Sequence, residues 1–159
     1  MLALSKCSLG GALASSIFNA ASNLRNMRVL AMDDNDIGPD AGASIAEAIS
    51  SGCPLRSISL SWNHLGAVGV RLLAKSLEDN MTPLEDLDLS HTNCGTEGAE
   101  ALGQALLENT TLVSLGLRSN SITARGAVVL ADGMARNASL LRLDISENPI
   151  GRHGARVLV

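Results

Sequence analysis

The chain has 159 residues, 46% of them hydrophobic, and a net charge of −4, which leaves room for one sizeable core and excludes the basic stripe that nucleic-acid binding needs. One Trp, one Phe and no Tyr hand that core to Leu, Ile, Val, Ala and Met, set in regular layers without aromatic plugs. Three cysteines, Cys7, Cys53 and Cys94, have no C-x-x-C spacing and an odd count, which speaks against a disulfide framework or a zinc site and for reduced cytoplasmic thiols.

Apolar anchors recur at Leu4, Met32, Leu60, Leu89, Leu117 and Ile145, with spacings of 28, 28, 29, 28 and 28 residues. The first unit has a short apolar stretch around Leu4, then a Ser- and Ala-rich segment from Ala12 to Ser22 with weak helical patterning. Its opening stretch to Ile17 lacks the basic leader of a secretory signal. The second unit follows Met32 with the acidic cluster Asp33, Asp34 and Asp36. In the third, Leu55, Ile58 and Leu60 alternate as in a strand with one buried face, and Leu72, Leu73 and Leu77 then show helical spacing. The fourth repeats this with Leu89 and then Ala99, Leu102 and Leu106; the fifth begins Leu112, Leu115, Leu117. The sixth breaks off at Val159, partway into its helix, with Val157, Leu158 and Val159 uncovered. Residues 1–159 therefore read as one domain, expected to be part of a longer solenoid or to self-associate through uncapped ends. No apolar run of 18 residues occurs, so no membrane span is expected.

Columns through the repeat describe the turns. Three residues beyond the anchor stand Cys7, Asn35, Asn63, Thr92, Asn120 and Asn148, which are expected to form a buried ladder bonded to turning backbone. Six beyond stand Gly10, Gly38, Gly66, Gly95, Thr123 and Gly151, suited to a helix start. Nine beyond stand Leu13, Ala41, Gly69, Gly98, Gly126 and Gly154, mostly small, expected to let the helix lie close to the strand. Twenty beyond stand Gly52, Asn80, Asn109 and Asn137; the three asparagines open glycosylation-type triplets, but Asn and Gly exchange where a helix ends in a left-handed residue, so a C-cap is expected instead.

Stacked strands lie about 4.8 Å apart and packed helices about 8–10 Å apart, so the stack must curve. The fold expected is an α/β solenoid, a curved horseshoe with parallel strands on the concave face and helices on the convex face. The segments LEDLDLSHTNCGTEGAEALGQAL (84–106) and LVSLGLRSNSITARGAVVL (112–130), built on L-x-x-L-x-L-x-x-N-x-L, resemble the ribonuclease-inhibitor-like leucine-rich repeats. These also occur in nucleotide-binding immune receptors and the Ran GTPase-activating protein. The resemblance implies a horseshoe that grips other proteins.

Period-two alternation turns the residues one and three before each anchor, and the one after it, to the concave face. Together with the adjoining turn these columns carry Asp33, Asp34, Asp36, Asp86, Asp88, Asp144 and Glu147 against Lys6, Arg118 and Arg142, an excess of four negative charges. A protein partner with a basic surface is expected there. Trp62 falls at an outward position with His64 on its own unit and His91 on the next, and Trp is enriched at binding hot spots. The candidate contacts are Asp33, Asp34, Asp36, Trp62, His64, Asp86, Asp88, His91 and Arg118.

Other chemistry finds less support. Aligning Gly38 with the invariant glycine of a calcium loop puts Ile37 at a ligand position and Ser44 where the bidentate Glu belongs. A triad drawn from Ser61 or Ser90, His64 or His91, and Asp88 has no nucleophile elbow. No enzyme activity, cofactor or metal is expected. The leading reading is a cytoplasmic protein-interaction module; the alternatives are a regulator of a small GTPase or other enzyme by direct binding, and a structural spacer of a larger scaffold.

Overall fold

The computed structural model describes residues 1–81 and 83–159. Among these, six strands alternate with six helices: β1 Leu2–Ala3, α1 Gly10–Ser22, β2 Val29–Ala31, α2 Ala41–Ser50, β3 Ser57–Ser59, α3 Gly66–Leu77, β4 Asp86–Asp88, α4 Gly95–Ala105, β5 Ser114–Gly116, α5 Ala124–Arg136, β6 Arg142–Asp144 and α6 Gly151–Val157. The strands form one parallel, unclosed sheet in chain order. The solenoid read from the repeat is what the chain adopts.

Register follows the repeat, with Leu30 opposite Ile58, Ile58 opposite Leu87, Leu87 opposite Leu115 and Leu115 opposite Leu143. A slip of one residue would turn these buried side chains outward, so the pattern itself fixes the pairing. The middle residue of β2 to β5 is buried and its two neighbours are half-exposed. Strand flanks therefore supply the concave surface, and the core lies between sheet and helices, where Met32, Leu60, Leu89 and Leu117 are fully enclosed.

The ladder forms from Asn35 onward, but its expected first member is corrected: Cys7 is exposed, and its Sγ reaches only Ser5 O of its own turn, at 3.5 Å. The Asn63 carbonyl oxygen accepts the amides of Asn35 at 3.1 Å and Ile37 at 3.0 Å. Its amide group donates to the carbonyls of Met32 at 2.9 Å and Leu60 at 2.8 Å, so one side chain fastens two units. Asn35, Asn120 and Asn148 bracket their neighbours in the same way. Thr92 interrupts the series: its hydroxyl has one proton, shared between Leu89 O at 2.7 Å and Asn120 Oδ1 at 3.1 Å, and the side chain has no second arm for the preceding unit.

Two further expectations are corrected. Left-handed backbone occurs at Gly52 and Asn80, with φ of 76° and 52°, but not at Asn109 or Asn137. The latter pair instead forms a second ladder at the outer return. Asn109 donates to Leu77 O at 2.8 Å and accepts the amide of Leu112 at 2.8 Å; Asn137 donates to Leu106 O and Asn109 O, both at 2.7 Å, and accepts the amide of Leu140 at 2.7 Å. With Asn109 only 3% exposed, its triplet is closed to a sugar, while Thr82 of the triplet at Asn80 lies outside the described residues. The small column nine beyond the anchor, second, does not serve strand contact. A Cβ at Gly98 would stand 2.9 Å from Cβ of Cys94, and one at Gly126 2.8 Å from Cγ2 of Ile122, so these glycines clear space for the apolar residue four positions earlier.

Four of the five glycines in the column stand at helix starts, though without side-chain caps; Gly38 does not, since α2 begins only at Ala41 and Gly38 is not left-handed. Gly10, Gly66, Gly95 and Gly151 open their helices with φ between 61° and 64°, a conformation glycine adopts at no steric cost. In the fifth unit the preceding Thr123 is extended instead, and its hydroxyl meets that of Thr96 at 2.9 Å. At the sixth unit burial falls: Leu143 and Ile145 are half-buried and Leu141 is 79% exposed.

Candidate functional site

The turn after each strand needs a left-handed residue two positions beyond the anchor, and there stand Lys6, Asp34, Trp62, His91, Ser119 and Glu147, with φ from 53° to 59°. Each amide from Lys6 to Ser119 then bonds a carbonyl of the next unit, as Trp62 N to Ser90 O at 2.9 Å and His91 N to Arg118 O at 2.9 Å. A bulky side chain in this conformation is disfavoured by about 1–2 kcal/mol, which the hydrogen bond offsets in part. Trp62 is held there 60% exposed. Adjacent members of the column lie one strand spacing apart, and the Trp62 and His91 rings stack with centroids 3.7 Å apart and planes 11° from parallel. His64 takes no part in this stack: its Nε2 lies 3.6 Å from Asp36 Oδ1, on a well-exposed stretch of the preceding turn.

The acids divide by environment. Asp33 is drawn into the strands, where it accepts hydrogen bonds from the hydroxyls of Ser5 at 3.0 Å, Ser61 at 2.8 Å and Ser59, and from the Ser61 amide at 3.1 Å. Burial works to raise its pKa, but these donors together outweigh burial and hold it below the usual value. Its oxygens are committed to joining units one to three. Asp34 remains exposed on the rim. Asp86 is engaged by Arg142, whose Nη2 reaches across β5 to its Oδ1 at 3.2 Å. Arg118 pairs with Glu147; that hydrogen bond lowers the carboxyl pKa of Glu147 and raises that of the guanidinium.

Asp88 and Asp144 differ from these. Asp88 Oδ1 accepts the Ser90 amide at 2.9 Å, and Asp144 Oδ1 accepts the Ser146 hydroxyl at 2.6 Å and amide at 2.9 Å. Those Ser146 bonds lower the Asp144 pKa, with Arg118 adding a smaller pull. Among the described residues neither carboxylate forms an ion pair. They flank Gly116 in the strand register, Asp88 opposite Gly116 and Gly116 opposite Asp144. A Cβ at Gly116 would stand 2.5 Å from Asp88 Oδ1, so the carboxylate lies over the space that glycine leaves. A hollow of about 400 Å³ over β3 to β6 is lined by Asp86, Asp88, Ser90, Gly116 and Asp144. A second, of about 570 Å³, is lined by Ser61, Trp62, Asp88, Ser90, His91, Arg118, Asp144 and Glu147. Their shared residues make one trough with an acidic floor and an aromatic wall.

Of the residues singled out in the sequence, Trp62, His91, Asp88 and Arg118 meet in this trough, with Asp86 at its edge. Asp34, Asp36 and His64 lie on the outer turns, and Asp33 is inside the sheet edge. Asp144, Glu147 and Gly116 belong to the trough but were not among the candidates. The first two stood in the acidic columns, and Gly116 is the only glycine in a column otherwise reading Ala3, Ala31, Ser59, Asp88 and Asp144. No group of three His, Cys, Asp or Glu residues among those described is arranged to hold a metal, and no described helix is long and apolar enough to cross a membrane.

The family model described as Leucine Rich repeat matches five times, over residues 23–46, 53–74, 80–103, 108–131 and 136–159. Over 97 residues, 58% of the chain, the sequence is 33% identical to the protein phosphatase 1 regulatory subunit 37 homolog of Caenorhabditis briggsae. Over another 97-residue alignment, 61% of the chain, it is 28% identical to RAN GTPase-activating protein 2 of Arabidopsis thaliana. The aligned parts span 10% and 18% of those proteins. The solved structure of leiomodin-1 actin-binding site 2 superposes with a TM-score of 0.73, covering 90% of this chain and 86% of that one at 17% identity, a likeness of fold. With five matching units along most of its length, the chain belongs to the leucine-rich repeat family, and its units are of the ribonuclease-inhibitor-like kind.

Proposed function

We propose that this protein is an interaction module that binds a partner protein with a basic surface, using the concave trough and the turns beside it. The observation that carries the reading is exposed Trp62 stacked on half-buried His91 at the edge of an acidic hollow. A large aromatic surface left in water, in a backbone conformation that disfavours it, contributes little to the fold and much to a contact that covers it. Asp88 and Asp144, which form no ion pair among the described residues, add charge that steers a basic partner and adds specificity. The partners named for the relatives, a phosphatase and a GTPase, are proteins, consistent with a binding role on this scaffold.

The test compares the wild-type chain with Trp62→Ala, both immobilised and exposed to the same native extract, with bound proteins quantified. A set of proteins retained by the wild type, lost by the variant and released by roughly 0.5 M salt, where screening shortens to a few ångströms, is expected. Equal retention by both chains would remove the trough as the docking site.

A further inference from the structure

We propose that the trough selects arginine side chains on its partner, over lysine. The inference rests on the docking reading above and adds the chemistry of the contact. Three features of the structure converge on it. Asp88 and Asp144 flank the floor without an ion pair, and each has one oxygen occupied by a serine donor in its own turn, which fixes the carboxylate in place. Gly116 lies between them, and its lack of a Cβ leaves the space over which the Asp88 carboxylate lies. The wall is the stacked Trp62–His91 pair, whose residues line the same hollow as both acids and whose stacking leaves one face of each ring uncovered by the other.

A guanidinium is planar, presents donors along more than one edge and stacks on aromatic faces, so it can face two carboxylates while its plane lies against a ring. An ammonium is a compact, strongly hydrated point charge that meets the carboxylates but gains less from the wall. The protein itself shows what the trough accepts, for the guanidinium of Arg118 already lines it and is held there by Glu147. Arg142 makes the equivalent contact with Asp86 on the far flank. The carboxylates of Asp88 and Asp144 remain for a guanidinium supplied from outside.

The test uses three blocked peptides, acetyl-Gly-Arg-Gly-Arg-Gly-amide and its lysine and citrulline twins, titrated into the isotopically labelled protein while backbone amide and Trp62 indole shifts are followed by NMR. The arginine peptide is expected to shift signals of Trp62, His91, Ser90 and Gly116, to bind roughly three- to tenfold more tightly than the lysine twin, and to exceed the citrulline twin by more, since citrulline keeps the shape and loses the charge. Asp88→Asn with Asp144→Asn keeps an acceptor for the serine amides and is expected to weaken the arginine peptide about tenfold or more. Trp62→Leu is expected to erase the difference between arginine and lysine while leaving both bound. Gly116→Ala, which adds a methyl and no charge, is expected to weaken arginine binding with the fold intact. Equal affinity for arginine and lysine in the wild type, shifts confined to another face, or indifference to the double Asn variant would each overturn the inference. If capture from extract still depends on Trp62 while the two peptides bind alike, the docking face stands and arginine selection is refuted.

Discussion

Gly103→Ala tests how closely the convex helices approach. By helix propensity alone the change stabilises, since Ala is favoured over Gly in a helix interior by about 1 kcal/mol. A Cβ at Gly103, however, would stand 2.6 Å from Val129 O, 2.7 Å from Val129 C and 2.9 Å from Leu130 N, all backbone atoms of α5. The shortest of these is 0.8 Å inside the 3.4 Å at which ordinary contact begins, and a backbone cannot rotate aside as a side chain can. Separating α4 from α5 loosens the contact that Gly133 makes from the other side, and because the atoms met are backbone the cost falls in the upper part of the overpacking range, about 2–3 kcal/mol. The net expectation is a loss of roughly 1–2 kcal/mol and a melting temperature lower by about 2–8 °C for a chain of this size. The control is Gly11→Ala in α1, where the added Cβ meets only the carboxylate of exposed Asp40, at 2.7 and 3.0 Å, an end free to move. Urea denaturation followed by far-UV circular dichroism should give a lower midpoint for Gly103→Ala and an unchanged or slightly higher one for Gly11→Ala. A Gly103→Ala protein as stable as the wild type would show that steric approach does not set the helix spacing, and would refute the reasoning.

Asn63→Ala should destabilise by roughly 3–5 kcal/mol, because it strands the amides of Asn35 and Ile37 and the carbonyls of Met32 and Leu60 inside the core; a denaturation midpoint close to wild type would argue that the ladder is dispensable. Thr92→Asn should gain about 1 kcal/mol by completing the interrupted bracket, measured the same way, with a loss counting against the repeat-by-repeat account of the ladder. Trp62→Gly should change stability by less than about 1 kcal/mol, since the side chain is exposed and glycine suits the φ of 57°; a large loss would make Trp62 structural. Asp33 has a folded-state pKa below its unfolded one, so its contribution is present above the unfolded value and is lost as pH falls through the folded value. Melting temperatures from pH 7 down to about pH 2 should therefore fall less steeply for Asp33→Asn than for wild type, and parallel curves would contradict this.

The fold was legible because the repeat repeats its physics. Alternation around buried strand centres such as Ile58 and Leu115, Asn or Thr three beyond every anchor after the first and glycine six beyond nearly every one state strand, ladder and helix start unit after unit, and averaging over units suppresses local ambiguity. Where the sequence misled, one residue type served two geometries. Asn80 is left-handed, while Asn109 and Asn137 use their amides as brackets, and composition at that column does not distinguish a residue chosen for its φ from one chosen for its hydrogen bonds.

The candidate site divides along the same line. The sequence by itself determined which residues share a column, and since column neighbours sit one strand apart, it placed Trp62 beside His91 and gathered the acids on one face. Only the tertiary structure decided how those side chains spend their hydrogen bonds: Asp33 enclosed by serines, Asp86 claimed by Arg142 from two strands away, Glu147 by Arg118, and Asp88 and Asp144 without an ion pair across Gly116. The repeat period fixes backbone positions to within a strand spacing, whereas long polar side chains choose among several partners within that reach, and the choice depends on every neighbour at once.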